Sequence, residues 1–588
     1  MENLGSRARV FNSLISDEPG AKPLIEAFKA CKVHFTSALL FSALVNLLYL
    51  APTLYMMQIY DRVVPTGGML TLVLLTVAAV FALGALAALD WLRIRLLIRA
   101  GLRLDRLLAA KVMARIVDMQ GGKSSNQAMR EFDNVRAAVS GQGILAVFDS
   151  PWTPLYLACC FMLHPAIGAL TLAGGTILFI LAVLNERDSR PRLKRAIQST
   201  NAVYAAQEGI IGQTEVVRAL GMRQASIARQ IRERQQSVSQ YADAQLNGGK
   251  YSGAIKFLRL AMQSLSLGLA AFLAVKGQIS PGSIIAASVL LSRAVAPVEL
   301  LVGTWPNLIQ ARTSWKSLID LFAATAEVER PRTALPPPAG KLQVEGVTMR
   351  LPGADTPQLS QVSLILSPGQ TLGVVGPSGS GKTTFARIAA GALSPTKGLV
   401  RLDGADYAAR DSDELARYIG YLPQTPSLFA GSIKDNISRF SAATGAAHAE
   451  IDARAVEAAV IAGAHEMILR LPHGYDTVLG PFGAGVSAGQ AQRIALARAL
   501  YGHPVLLVLD EPNSNLDQEG EIALMNAILA SAGRGAAVII VAHRAGVLSR
   551  VDRLMTLRDG VVQFEGPRED VLAKIRAEVS VQAGARSR

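Results

Sequence analysis

The sequence predicts a transmembrane domain of six spanning α-helices fused to a soluble α/β domain of the P-loop kind. Three observations predict it. Apolar stretches of spanning length fill the first half of the chain, a proline-rich break follows Ala323, and a glycine-rich loop at Gly376 to Thr383 stands between a strand pattern and a helix pattern in the second half.

The chain has 588 residues, too many for one hydrophobic core. Half are apolar and 18% are charged, a balance that favours the membrane class. The formal net charge is +14, but the early Arg and Lys residues flank apolar runs, as topology determinants do. That placement argues against nucleic acid as a partner and for membrane lipids around the first half. Only Cys31, Cys159 and Cys160 occur, with no metal-ligand spacing and no basis for a disulfide framework.

Val33 to Met57, Met69 to Leu89 and Ala166 to Leu184 are each about twenty residues of mostly apolar sequence, the length a helix needs to cross the hydrocarbon core. Ile144 to Leu163, Leu260 to Val275 and Ser283 to Trp305 are weaker signals, because they hold Asp149, are short, or hold Arg293 and Glu299. Short turns are expected at Tyr60 to Gly68, His164 to Pro165 and Lys276 to Gly282. The other connections are long and basic, which places them and both chain ends in the cytoplasm, with the spans in the inner membrane. Asp90 to Asp118 and Glu186 to Gln245 have helical spacing and should extend the spans beyond the membrane. Residues 1–32 form an N-terminal cytoplasmic segment without a signal-peptide cleavage site, and 33–322 the transmembrane domain.

Residues 323–340 read as a linker, since Pro331 and Pro336-Pro337-Pro338 cannot continue a helix. In 341–588, Lys341 to Val347, Thr371 to Val375 and Val505 to Leu509 have strand character with helical stretches between them.

Gly376, Pro377, Ser378, Gly379, Ser380, Gly381, Lys382 and Thr383 form the loop, and Thr384 continues into a helix. Glycines allow successive backbone N–H groups to face phosphate, the helix amino end adds partial positive charge, Lys382 reaches the outer phosphates and the Thr383 hydroxyl suits Mg²⁺. Val505 to Asp510 is an apolar strand ending in a carboxylate, which fits Asp510 for Mg²⁺ and the adjacent Glu511 for general base.

Gln424 in Tyr-Leu-Pro-Gln, Val486-Ser-Ala-Gly-Gln490, Arg493 to Arg498, Asp510 to Asp517 and His543 follow in an order that resembles the ATPase of ABC transporters. The resemblance implies the type I ABC exporter fold and ATP with Mg²⁺ as cofactors. It implies that Gln424 contacts Mg²⁺ and that His543 contacts the γ-phosphate. It also implies that Ser487, Gly489 and Gln490 close over ATP on the opposite subunit of a homodimer, with Asp517 at the seam. Three positions depart from the family pattern: Leu351 where an adenine-stacking aromatic is usual, Val486 and Ala488 in the signature, and Pro481 where exporters often carry Glu.

Leu54 to Val63, Phe148 to Tyr156, Glu215 to Met222 and Ala296 to Leu300 further resemble the PrtD-type ABC proteins of bacterial type I secretion. That likeness implies export of unfolded polypeptides with C-terminal signals, working with a membrane-fusion (periplasmic adaptor) protein and an outer-membrane channel protein. It leaves no room before the first span for the peptidase domain of some relatives. The alternative is a lipid or small-molecule exporter of the same architecture. Arg293 and Glu299, charged within a span, are expected to face a wet path or a partner, and Asp90 to reach water at its helix end.

Overall fold

The computed structural model describes residues 19–119, 125–325, 335–351, 354, 356–542 and 545–586. The chain divides into two compact units, 1–329 and 330–588.

Among the described residues of the first unit, six helices are long and apolar enough to cross a membrane. A short helix, α1 (Lys22–Ala30), precedes them and buries Leu24 and Ala27 against Leu104, Phe132 and Phe322. The first span is α2 (Lys32–Leu48) with α3 (Ala51–Gln58). The second lies in α4 (Met69–Asp118), 50 residues long and so about 75 Å at 1.5 Å per residue, well beyond a bilayer core. A cytoplasmic helix α5 (Ser125–Ser140) leads to α6 (Gln142–Asp149) and α7 (Thr153–Leu163), which together make the third span. The fourth, fifth and sixth lie in α8 (Pro165–Gly212), α10 (Arg223–Val275) and α11 (Pro281–Ala324), with the short α9 (Thr214–Ala219) between α8 and α10. Val77, Val80 and Phe81 of the second span are exposed, the surface that acyl chains cover.

Two expectations about connections change. The turn expected from Tyr60 is still helical: a π-helical segment at Ile59–Val63 carries the chain to Thr66, and the reversal falls at Gly67, whose φ is +62°. That extra turn places the Asp61 carboxylate on the amino end of α11, where Oδ1 accepts from Gly282 N at 2.6 Å and Oδ2 from the Ser280 hydroxyl at 2.5 Å. The helical stretch expected over Glu186 to Gln245 is likewise broken, because the chain reverses around α9 through Gly221 at φ +65°. The flanking parts extend α8 and α10 as expected, and these two helices pack side by side.

The intramembrane charges also find partners that the sequence left open. Arg293 and Glu299 do not pair with each other. Glu299 takes Arg259 of α10 at 2.9 Å, while the Arg293 guanidinium lies 3.8 Å from the centre of the Tyr49 ring. Asp90 does not simply reach water, for it binds Arg93 at 2.7 Å. Arg93, only 4% exposed, also binds Asp149 at 2.7 Å, and that same carboxylate accepts from the Ser42 hydroxyl and from Asn46. Burying a charge in a bilayer is costly unless it is answered, and this network answers it from three spans.

The second unit is built on two sheets. β1 (Leu342–Met349), β2 (Leu359–Leu366), β4 (Lys397–Leu402) and β5 (Ala405–Asp406) form an antiparallel sheet in the order β2-β1-β4-β5. The larger sheet takes β3 (Thr371–Val375), β6 (Ile419–Leu422), β9 (Leu506–Asp510), β10 (Ala537–Val541), β11 (Arg553–Arg558) and β12 (Val561–Pro567). A short β7 (Gly431–Ser432) and β8 (Val478–Leu479) pair separately. The order β12-β11-β3-β10-β9-β6 is parallel except for β12. β9 and β10 are buried at every residue, as strands covered on both faces must be. Leu372, Val374, Val508 and Ile539 pack toward the antiparallel sheet, and Leu507, Leu509, Val538 and Ile540 toward the helices.

Candidate functional site

In an open parallel sheet, ligands bind beyond the carboxyl ends of the strands, and there the chemistry-bearing residues gather. β3 runs into the loop 376–381, and α12 (Lys382–Ala389) leaves it. Gly381 enters that helix at φ +96°, and a Cβ there would lie 2.6 Å from the Gln358 carbonyl, so only glycine fits. Pro377, Ser378 and Gly379 form the exposed tip, while Gly376 holds the base of the loop. Lys382 folds back over the loop, donating to the carbonyls of Gly376 at 2.9 Å and Pro377 at 2.8 Å. Burial pushes its pKa down, against the pull of the Glu511 and Asp510 charges. Thr384 donates to the Gln358 side chain at 3.0 Å.

Asp510 ends β9, fully buried, and accepts from the Thr383 hydroxyl at 3.4 Å through Oδ1. Its Oδ2 and the Ser380 hydroxyl are buried with no hydrogen-bond partner among the described residues. Burial raises the Asp510 pKa, and the Glu511 charge adds to the rise. Glu511 sits at φ +48°, its N–H held by Val541 O at 2.9 Å, so the backbone is strained where the carboxylate leaves the sheet. Gln424 lies two residues past β6, exposed, beside the end of β9.

A second group lies apart. Ser487 caps α13 (Ala488–Leu500), accepting from Gln490 N at 3.3 Å, while the Gln490 side chain accepts from Ser487 N at 2.9 Å. The reciprocal pair is a capping box. Gly489 faces the Asn515 carbonyl, which a Cβ would approach to 3.0 Å. Asp517 caps α14 (Gln518–Gly533), accepting from Gly520 N at 2.9 Å and from Arg493 at 2.5 Å, and these bonds hold its pKa below the usual carboxylate range. No described hydrogen bond links Ser487, Gly489 or Gln490 to the 376–383 loop of the same chain. His543 lies outside the described residues, although β10 delivers the chain to Ala542 beside Val374.

Two contributors escaped sequence reasoning. Gln492, fully buried, donates to Pro512 O at 2.9 Å and so buttresses the turn that holds Asp510 and Glu511. Arg493 ties α13 to Asp517. A glutamine inside an apolar helix run was the available signal for the first. At the departures, Leu351 is exposed, Ala488 is exposed at the first turn of α13, and Pro481 opens a turn whose Phe482 is 96% exposed.

The donors fit a nucleotide with its metal. Lys382, the loop and the amino end of α12 favour phosphate, and the Thr383 and Asp510 oxygens, one of them unsatisfied, are hard ligands of the kind Mg²⁺ takes. Six spans and this site in one chain define a class of protein: a multi-pass membrane protein carrying its own P-loop ATPase of the ABC type.

The comparisons agree with that class. Residues 35–298 match the ABC transporter transmembrane region family and 359–514 the ABC transporter family. The chain is 41% identical over 556 residues to the type I secretion system ATP-binding protein PrsD of Rhizobium meliloti (strain 1021), covering 93% of this chain and 94% of that one. It is 27% identical over 544 residues to the alpha-hemolysin translocation ATP-binding protein HlyB of Escherichia coli O157:H7, covering 91% and 76%. A bacterial Atm1-family ABC exporter with ATP bound shares the fold, with a TM-score of 0.78 at 22% identity over 94% of this chain and 98% of that one. The chain belongs to the ABC transporters of bacterial type I secretion systems. It is an ATP-binding, multi-pass protein of the inner membrane.

Proposed function

We propose that this chain energises type I secretion: as a homodimer it hydrolyses ATP to drive unfolded polypeptides with C-terminal signals across the inner membrane, toward a membrane-fusion adaptor and an outer-membrane channel. The relatives' names support polypeptide export. The observation that carries the dimer is the exposed Ser487–Gln490 turn, satisfied internally by its capping box and with no hydrogen bond to its own phosphate loop among the described residues. A signature that leaves its own site open is suited to closing a second copy's site, and reciprocal closure gives a two-fold pair.

In this reading the backbone of Gly376 to Gly381, with Lys382 and Thr384, binds and orients the phosphates. Thr383, Gln424 and Asp510 would hold Mg²⁺, which supplies positive charge beside the outer phosphates when bound. The Glu511 carboxylate accepts a proton from the attacking water as its oxygen bonds to the γ-phosphorus and the bond to ADP breaks. His543 holds the γ-phosphate, and Asp517, fixed by Arg493, lines the seam. Nucleotide occupancy favours the closed pair and hydrolysis releases it, a shift between two populations.

The test is Glu511→Gln in lipid nanodiscs. ATP binding should persist, turnover should fall by at least about a hundredfold, and the dimer should accumulate closed with ATP bound. Turnover at the parent rate would overturn the base assignment. Loss of cargo from culture supernatants with Lys382→Ala tests the coupling to secretion.

A further inference from the structure

A cavity of about 580 Å³ lies inside the membrane unit, between the first, second, third and sixth spans. It extends from Asp90 and Gln142, at the cytoplasmic ends of their spans, to Tyr49 and Arg293 within theirs. Its two cations differ. Arg93 on one wall is answered by both Asp90 and Asp149. Arg293 on the other is stacked 3.8 Å from the Tyr49 ring centre and has no carboxylate in ion-pair range among the described residues. In addition, Arg93 Nε is buried at the cavity wall without an acceptor among the described residues.

A ring takes one face of a guanidinium and leaves the N–H edges free, and those edges match a carboxylate with two parallel hydrogen bonds. The lining holds two cations and two carboxylates, but both carboxylates are engaged by Arg93, so Arg293 is the cation whose N–H edges are open to a ligand. We infer that this cavity receives a carboxylate carried on an extended peptide segment, and that Arg293 is the residue that selects it. The inference rests on the reading of this chain as a polypeptide exporter. The volume is that of a pocket for a few residues, not a folded domain. A lipid phosphate has the same charge, and Ile94, Leu97, Leu145 and Leu300 could take its acyl tails, so the preference for a peptide rests on the polar groups beside them. A peptide backbone brings N–H and C=O groups that need polar partners at membrane depth, and Asp90, Gln142 and the unsatisfied Arg93 wall supply polar groups.

Two fluorescein-labelled peptides of one Gly/Ser/Leu sequence, differing only in paired Glu or paired Gln, provide the test with the full chain in nanodiscs. The Glu peptide should bind about tenfold more tightly than its Gln twin. Arg293→Gln should abolish that ratio, Arg293→Lys should restore part of it, and basal ATP turnover and unfolding temperature should stay at parent values in both. Equal binding of the twins by the parent, or a ratio that survives Arg293→Gln, overturns the inference. So does an Arg293-dependent response to phosphatidylglycerol in the disc with no discrimination between the peptides, which would make the ligand a lipid. Cargo secretion by the parent chain separates the two levels: if secretion occurs and the peptides are not discriminated, only the role of Arg293 falls, whereas absence of secretion removes the exporter reading itself.

Discussion

The Thr383 hydroxyl and Asp510 Oδ1 lie 3.4 Å apart although 127 residues separate them in the chain. They meet because β3 and β9 flank β10 in one parallel sheet, so the loop after one and the last residue of the other share its carboxyl edge.

Asp510 should destabilise the nucleotide-free protein at neutral pH. Burial, the largest cause, raises its pKa, so the native state retains a proton where the unfolded chain has lost it. Native stability therefore rises as pH falls from the raised native value toward the ordinary carboxylate value, and the ionised form weakens the fold above that window. Asp510→Asn should raise the unfolding free energy of nucleotide-free protein at pH 7 by roughly 1 kcal/mol, with a smaller gain in acid. ATP turnover should drop by at least about a hundredfold. Calorimetry across pH beside a phosphate-release assay checks both, and a destabilised Asn variant at pH 7 would refute the sign.

Backbone strain at Glu511 should be separable from its chemistry. Glu511→Gly removes the cost of φ +48°, so stability should hold or rise by about 1 kcal/mol while turnover disappears. Denaturant unfolding and a turnover assay on the same preparation decide it.

The Arg93–Asp149 pair should show the asymmetry of buried charges. Asp149→Ala leaves Arg93 with Asp90 alone and should cost about 3–5 kcal/mol, seen as a lower unfolding temperature in detergent. Arg93→Met combined with Asp149→Leu should recover much of that loss, and a double variant worse than the single would contradict it.

Ser487 has a local duty and a proposed remote one. Ser487→Ala should cost about 1 kcal/mol through the lost cap, as should Gln490→Ala through the other half of the box. If the turn also closes a second copy's site, turnover should fall far more than that loss explains, and mixed dimers with one Lys382→Ala subunit will show whose site the turn serves.

Much of this was legible in the sequence because its signals are local. Each span is a run of apolar residues, and the loop from Gly376 to Thr383 announces itself by composition and by its strand and helix flanks. The strand ending at Asp510 was placed within a residue. Partners were not legible, since they depend on which helices come to face each other: nothing near Glu299 points to Arg259, or near Arg293 to Tyr49. The reversal around Thr214–Ala219 was hidden for a different reason. Its residues keep helical character, and only Gly212 and Gly221 mark the break. Likewise Tyr60 to Gly68 read as a short turn between two apolar spans, whereas the π-helical segment Ile59–Val63 continues the helix and uses Asp61 to hold a distant helix end.

That grip has a mechanical side. With its amino end fastened by Asp61 and its ladder interrupted at Pro297 and Pro306, the sixth spanning helix is a notched rod clamped at one tip. With two N–H donors missing there, the notches are the places where the rod resists bending least, so its clamped tip and its far end need not move together.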